Sequence, residues 1–331
     1  MVNRAIIAIL VFLVLLFGYS HFFNSKDSGQ NPNINMMITQ ETSDKLTISH
    51  YNGITTINKN PKRIVVLDYS VLDNINSMDI DIKEIATSSN LIPSYIDTSK
   101  FHLTNVGNLK EPDLEAIYKF KPDLIIINGR QMKYYDNLSK IAPTINFSTP
   151  KDMEYKDSLY SKINLIGKIF DKENKSLELC LDIDKQINSV KSMSGIHDKG
   201  MILFIVGNKM FAVGPNSMMG GLPYDTCNLE SVVTERSQKQ SRIGPYADEI
   251  SFEYIRDKNP EYILVVNKDA AIRLDSAKNK SFIMDNPLLK DIPAVKNDRV
   301  IFVNSEVWYL AGGGYKSTSI MLDEIRNAIN H

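Results

Sequence analysis

Lys119–Ile127 reads KFKPDLIII, and Arg256–Val266 reads RDKNPEYILVV. Each stretch is the tail of a helical pattern, then a proline, an acidic residue and a short apolar run. A run of that length without alternation predicts a strand buried on both faces, as in a parallel sheet. The proline marks where the preceding helix must stop. One such unit in each half of the chain is internal similarity, and it predicts two lobes of related architecture.

The neighbouring sequence extends the same pattern. RIVVLD (Arg63–Asp68) reads as another buried strand. DLEAIYKF (Asp113–Phe120) places Leu114, Ile117 and Tyr118 at helical spacing, with Pro112 at a helix start. DLIIING (Asp123–Gly129) is a strand that ends in a Gly-Arg turn, a short helix covers Asn137–Ala142, and PTINF returns to a strand. In the second half MILFIV (Met201–Val206), EYILVVN (Glu261–Asn267) and RVIFVN (Arg299–Asn304) read as strands. ISFEYIRDK (Ile250–Lys258) reads as a helix, and a last helix runs from about Ser317 to Ile329. Between the halves, from Met153 to Met193, there is no proline and Gly167 is the only glycine. That predicts a connecting helix of about forty residues, with room for one break near Asp171. The expected fold class is therefore α/β: two lobes with parallel-type sheets, joined by a long interlobe helix. Ligands of such sheets gather beyond the carboxyl ends of the strands. Here those ends carry Asp68-Tyr69, Gly129-Arg130-Gln131, Asn267-Lys268-Asp269 and the Ser305–Gly314 loop.

Composition narrows the function. The chain has 331 residues, enough for about two domains. Its formal net charge is −1, so it has no global basic field and no nucleic-acid partner is expected. Two cysteines, Cys180 and Cys227, without a C-x-x-C exclude a Cys-rich zinc site and a disulfide scaffold, and no bond between them is expected. Five scattered histidines (His21, His50, His102, His197 and His331) offer no metal-ligand spacing, whereas tyrosine is plentiful at fifteen. A hard metal would have to use oxygen ligands. There is no G-x-S-x-G, H-E-x-x-H or P-loop, and an enzyme is not expected.

Arg4 precedes the apolar run AIIAILVFLVLLFG (Ala5–Gly18). A positive start and about fourteen apolar residues fit a secretory h-region, and continuation through Phe23 nears the ~20 residues that span a bilayer. Residues 1–23 are expected to be a signal peptide or membrane anchor. Asn24–Asp44, poor in apolar residues, is expected to be a flexible tether. Residues 45–152 then form the N-terminal lobe, 153–193 the connecting helix and 194–331 the C-terminal lobe. No cysteine follows the apolar run, so lipid attachment at a new N-terminal cysteine is not available. The expected location is extracytoplasmic.

EPDLEAIYKFKPDLIIINGRQ (Glu111–Gln131), SFEYIRDKNPEYILVVNKDAA (Ser251–Ala271) and WYLAGGGYKSTSIMLDEI (Trp308–Ile325) resemble stretches of one family. It is the family of solute-binding proteins of iron–siderophore ABC importers, in particular the catecholate subgroup. The resemblance runs from about Ile57 to Asn327. It implies a class III periplasmic-binding-protein fold and the capture of a ferric catecholate siderophore in the interlobe cleft. Delivery to a membrane permease and its ATPase follows, by a monomer with no intrinsic cofactor and with Fe(III) as cargo. Haem, cobalamin or a catechol compound are alternative cargoes, and an exported α/β hydrolase is the alternative outside the binding class.

The resemblance also implies roles. A ferric tris-catecholate carries three negative charges, which suits cations that stay charged and fork toward oxygen. Arg130 is placed in the cleft, and Lys268 stands where the subgroup usually has arginine. In GPNSMMGG (Gly214–Gly221) the expected arginine is Met218, whose sulfur can pack on flat rings. Arg242 or Arg273 are the candidates to supply the missing charge. Tyr309 takes the place of a ligand tyrosine for iron, with Trp308 beside it, and in an extended loop only one of the two faces the cleft. The subgroup's second ligand is a histidine seven residues before the Glu of S-F-E, where this chain has Tyr246. Either Tyr246 replaces the histidine with a phenolate or the protein supplies only one ligand, and with an insertion in R-I-G-P-Y the position becomes Ile243. Tyr224 is a further cleft candidate. Asp68-Tyr69 reads as a helix cap followed by a core aromatic. Glu115 and Glu253, one per lobe near a helix start, take the place of the family's permease-docking glutamates.

Overall fold

The computed structural model describes residues 36–149, 153–215, 217, 219–233, 247–274 and 277–330. The expected signal or anchor segment, most of the expected tether, and Met218, Arg242, Ile243 and Tyr246 lie outside the described residues. The described residues belong to one unit, Asn35–His331.

The chain enters through a small antiparallel sheet of β1 (Met37–Glu41), β2 (Lys45–His50) and β3 (Gly53–Asn58). β1 lies inside the stretch expected to be a tether. It pairs with β2 through the main chain while most of its side chains stay exposed, so composition carries no signal for it. Its Glu41 bonds to Lys59 at 2.8 Å. The β2–β3 hairpin turns at Tyr51-Asn52, with Gly53 at φ +138°.

The N-terminal lobe is a five-stranded parallel sheet in the order β6 (His102–Asn105), β5 (Glu84–Thr87), β4 (Arg63–Val66), β7 (Leu124–Ile127) and β8 (Thr144–Asn146). Ile64, Val65, Val66 and all four residues of β7 are buried, as the apolar runs predict. α1 (Tyr69–Ser77) follows β4 and α2 (Leu114–Phe120) precedes β7. The strand order reverses between β4 and β7, so their carboxyl ends open a crevice.

The expected connector is two helices, α3 (Tyr155–Ile169) and α4 (Glu173–Lys191). Asp171 takes φ +51°, and the Lys172 amide donates to Gly167 O at 2.7 Å, which ends α3. At Gly167 a Cβ would sit 2.8 Å from the Ser176 side chain, so glycine lets the two helices cross closely.

The C-terminal lobe is built on β12 (Ala247–Ile250), β10 (Lys209–Val213), β9 (Lys199–Val206), β13 (Tyr262–Asn267) and β14 (Val300–Phe302), with β11 (Glu230–Ser231) beside β9. β9, β13 and β14 are parallel, as expected for the class. β10 and β12 add an antiparallel edge, because a two-residue Gly207-Asn208 turn folds β9 into a hairpin. α5 (Phe252–Lys258) precedes β13, and α6 (Lys268–Ala271) follows it. The last helix, α7 (Tyr315–Ile329), packs on both α4 and α1.

The two repeat units superimpose in their logic. In one, Asp113 caps α2 on the Ala116 amide, α2 has seven residues, and Lys121 closes it at φ +53° before Pro122. In the other, Ser251 caps α5 on the Tyr254 amide, α5 has seven residues, and Asn259 closes it at φ +50° before Pro260. A left-handed residue followed by proline is a strong helix stop, and each strand then starts in the same orientation.

Candidate functional site

Both repeat units end in the same device. After β7, the Asn128 side chain accepts from the Arg130 amide at 2.9 Å and its own amide donates to the Gln131 side chain. After β13, the Asn267 side chain accepts from the Asp269 amide at 3.0 Å and the Ala270 amide at 3.3 Å. Each asparagine turns the chain at a strand end, and a cation follows at once. These are Arg130 in the N-terminal lobe and Lys268 in the C-terminal lobe.

The structure brings Arg130 against Tyr309 of the opposite lobe. Arg130 Nη2 donates to Tyr309 O at 2.7 Å, and the guanidinium carbon lies 5.5 Å from the centre of the Tyr309 ring. Phe204 of β9 stacks on the same ring at 5.6 Å with 27° between planes. Tyr309 is half-buried. Its ring is held from two lobes while no bond to its phenol oxygen occurs among the described residues. Lys268 is half-buried, and its ammonium has no hydrogen-bond or ion-pair partner among the described residues.

Trp308 does not join them. The loop is a wide helical turn, Glu306–Leu310, and not an extended strand. Trp308 is 3% exposed, and its indole N–H donates to Glu324 of α7 at 2.7 Å. The indole is thus turned into its own lobe, and Tyr309 is the member of the pair at the cleft. Arg273 does not supply a free charge either. Its guanidinium donates to Asn90 O, Ile92 O and Glu306. Tyr224 is buried, with its hydroxyl accepting from the Ile202 amide and burial pushing its pKa up to about 12. Asp68 caps α1 on the Ser70 amide, and Tyr69 is fully buried with its hydroxyl on Ser88 O.

Glu115 and Glu253 are both exposed and both occupy the second residue of their seven-residue helices. Glu115 bonds to Lys119 at 2.6 Å. Glu253 is held below the usual carboxylate range, first by the Ser251 hydroxyl and then by its own amide.

Two features carry no local signature in the sequence. Phe204 belongs to a strand, and its stacking on Tyr309 depends on the packing of distant segments. Asp73 of α1 is buried and caps α7 from the other lobe, accepting from the Lys316 amide at 3.0 Å and the Ser317 amide at 2.7 Å. Tyr95 OH adds a bond at 2.9 Å. Burial pushes the carboxyl pKa up, against the pull of these donors. Cys180 and Cys227 are buried free thiols.

Among the described residues no group of three or more His, Cys, Asp and Glu side chains is placed to hold a metal ion. Between the lobes the structure brings together the Arg130 guanidinium and the half-buried Tyr309 ring. The sequence profile described as Periplasmic binding protein matches residues 64–307.

The chain belongs to the periplasmic binding protein family.

Among curated relatives of this periplasmic binding protein is the petrobactin-binding protein YclQ of Bacillus subtilis. It is 33% identical over 293 residues, covering 86% of this chain and 89% of the relative. The crystal structure of YclQ aligns with a TM-score of 0.77 at 32% identity, covering 87% of this chain and all of that one. The periplasmic catecholate-siderophore binding protein VctP of Vibrio cholerae aligns with a TM-score of 0.76 at 33% identity, covering 86% of this chain and 100% of that one. The two-lobe α/β fold is shared with these structures. Among the described residues no helix is long and apolar enough to cross a membrane.

Proposed function

We propose that this chain is the extracytoplasmic receptor of an ABC importer and captures a ferric catecholate siderophore between its lobes. The observation that carries the reading is the Arg130 guanidinium held across the lobes on Tyr309, whose phenol oxygen has no bond among the described residues, with Lys268 at the matching strand end of the other lobe. The likeness to a petrobactin-binding and a catecholate-siderophore binding protein supports the cargo class.

The energetics favour an anionic chelate over the ligand-free contact. The bond from Arg130 to the Tyr309 carbonyl is a charged-to-neutral hydrogen bond, worth roughly 1.5–3 kcal/mol. One negative charge at about 4 Å from a guanidinium contributes about 4 kcal/mol at an effective dielectric of 20. A chelate carrying three charges therefore competes with the carbonyl for the guanidinium. Arg130 and Lys268 hold the chelate by charge, Phe204 backs the Tyr309 ring from the core, and the Tyr309 phenol supplies an oxygen ligand where the chelator leaves iron coordination incomplete. Tyr246 is the proposed second phenol and Arg242 a further cation. Met218 would pack on the rings.

Glu115 and Glu253 dock one lobe each onto permease arginines, because the same helix position is repeated in both lobes. The apolar run Ala5–Phe23 exports or anchors the protein on the outer face of the cytoplasmic membrane. The test is a fluorescence titration of Trp308, the single tryptophan, with ferric siderophores of catecholate, hydroxamate and citrate type, and with haem. Saturable quenching by ferric catecholates is expected. Quenching by haem alone would overturn the reading.

A further inference from the structure

The segment between β5 and β6 meets the C-terminal lobe at one cluster. Arg273 Nε lies 3.0 Å from Glu306 Oε1, Nη1 donates to Asn90 O at 3.2 Å, and Nη2 donates to Ile92 O at 2.8 Å. The Ser94 amide donates to the other Glu306 oxygen at 2.9 Å. The N-terminal lobe thus gives two carbonyls and an amide, and the C-terminal lobe answers with a guanidinium and a carboxylate that also pair with each other. Glu306 is the first residue of the turn that carries Tyr309.

The backbone at Arg273 adds a second observation. Its φ is +59°, just after α6, with its amide donating to Ala270 O at 3.0 Å and the Leu274 amide to Asp269 O at 2.8 Å. Glycine is the usual occupant of such a helix stop. From this helix stop the guanidinium of Arg273 reaches across to the other lobe. Glu306 fits the same picture: burial raises its carboxyl pKa, yet the Ser94 amide and Arg273 together hold it below the usual range.

We propose that Arg273 and Glu306 form an interlobe clasp that positions the Tyr309 turn against the N-terminal lobe. The turn is then pinned at both ends, at Glu306 by the clasp and at Tyr309 O by Arg130. Arg273 and Glu306 are positioning residues, and neither touches the cargo. The clasp rests on the geometry alone; that it positions an iron ligand rests on the proposed function.

Hydrogen exchange of the ligand-free full chain, read by mass spectrometry, tests the clasp. Arg273→Gly relieves the helix stop and removes the guanidinium. It is expected to keep or raise the melting temperature while exchange in residues 89–96 becomes at least fivefold faster and β4 and β7 stay unchanged. Glu306→Gln should loosen the same segment, and the double variant should exceed the larger single effect by less than twofold, since the two residues act as one unit. Unchanged exchange at 89–96 in Arg273→Gly would overturn the clasp, as would a lowered melting temperature with uniformly faster exchange. A separate arm reads the visible band of bound ferric bis-catecholate, which should shift between wild type and Arg273→Gly. An identical band would remove the positioning role. A wild type that binds no ferric catecholate would count against the proposed function and leave the exchange result standing.

Discussion

Replacing Tyr309 by phenylalanine removes one oxygen and nothing else that the structure uses. The stacking on Phe204, the guanidinium of Arg130 over the ring and the bond from Arg130 to the main-chain carbonyl all survive in phenylalanine. Fold stability should therefore change by less than about 0.5 kcal/mol. The affinity change then reports the phenol oxygen. If that oxygen ligates iron, a ferric bis-catecholate, with open coordination positions, loses a ligand whose place water takes, a loss taken as at least that of a charged hydrogen bond, about 1.5–3 kcal/mol. That corresponds to roughly a 10- to 150-fold rise in Kd. A ferric tris-catecholate already has six oxygens, and its Kd should rise less than about threefold. Arg130→Ala provides the contrast, because charge attraction does not depend on an open site, and both complexes should weaken. The assay is quenching of Trp308, which the substitution does not displace since the indole is bonded to Glu324. Equal losses for the two complexes in Tyr309→Phe would refute ligation and leave the ring as a packing surface.

Other perturbations have equally definite outcomes. Glu115→Arg with Glu253→Arg should leave siderophore affinity unchanged and abolish cellular uptake, and wild-type uptake would reject docking through these residues. Burial pushes the pKa of His50 down to about 4 from an ordinary 6.5, and its Nδ1 accepts from the Asn52 and Asn146 amides, so Nε2 carries the proton toward Thr55. The unfolded chain takes up this proton first, so the stabilisation is full above about pH 6.5 and is lost as pH falls toward 4. Urea unfolding should show about 2.5 kcal/mol less stability at pH 4.5 than at pH 7.5 from this residue, a difference absent in His50→Gln. Asp73→Ala leaves the Lys316 and Ser317 amides and the Tyr95 hydroxyl without their acceptor, at a cost of about 3 kcal/mol. Calorimetry should record a fall in Tm of roughly 5 °C, and a shift below 2 °C would mean that water replaces the carboxylate.

The sequence by itself determined the two repeat units, because they are written in local rules. A side-chain cap, a short amphipathic helix, a left-handed residue, a proline and a β-branched run each act over a few residues, and both halves spell them in the same order. The strand-end positions of Arg130 and Lys268 were legible for the same reason, since the asparagine turn at each lies within three residues of it. The tertiary structure alone decided the rest. Which of Trp308 and Tyr309 faces the cleft depends on Glu324 of a later helix and on Phe204 of an earlier strand. Arg273 meets Asn90 across 183 residues of chain, so its neighbours in sequence say nothing of whether its charge is free. β1 was invisible because main-chain pairing with β2 holds it and its side chains stay outside, where composition imitates a tether. Short-range hydrogen bonds and propensities are encoded where they act. Partners brought together by the packing of two lobes are encoded only in the fold, because no periodicity links residues that meet from opposite ends of the chain.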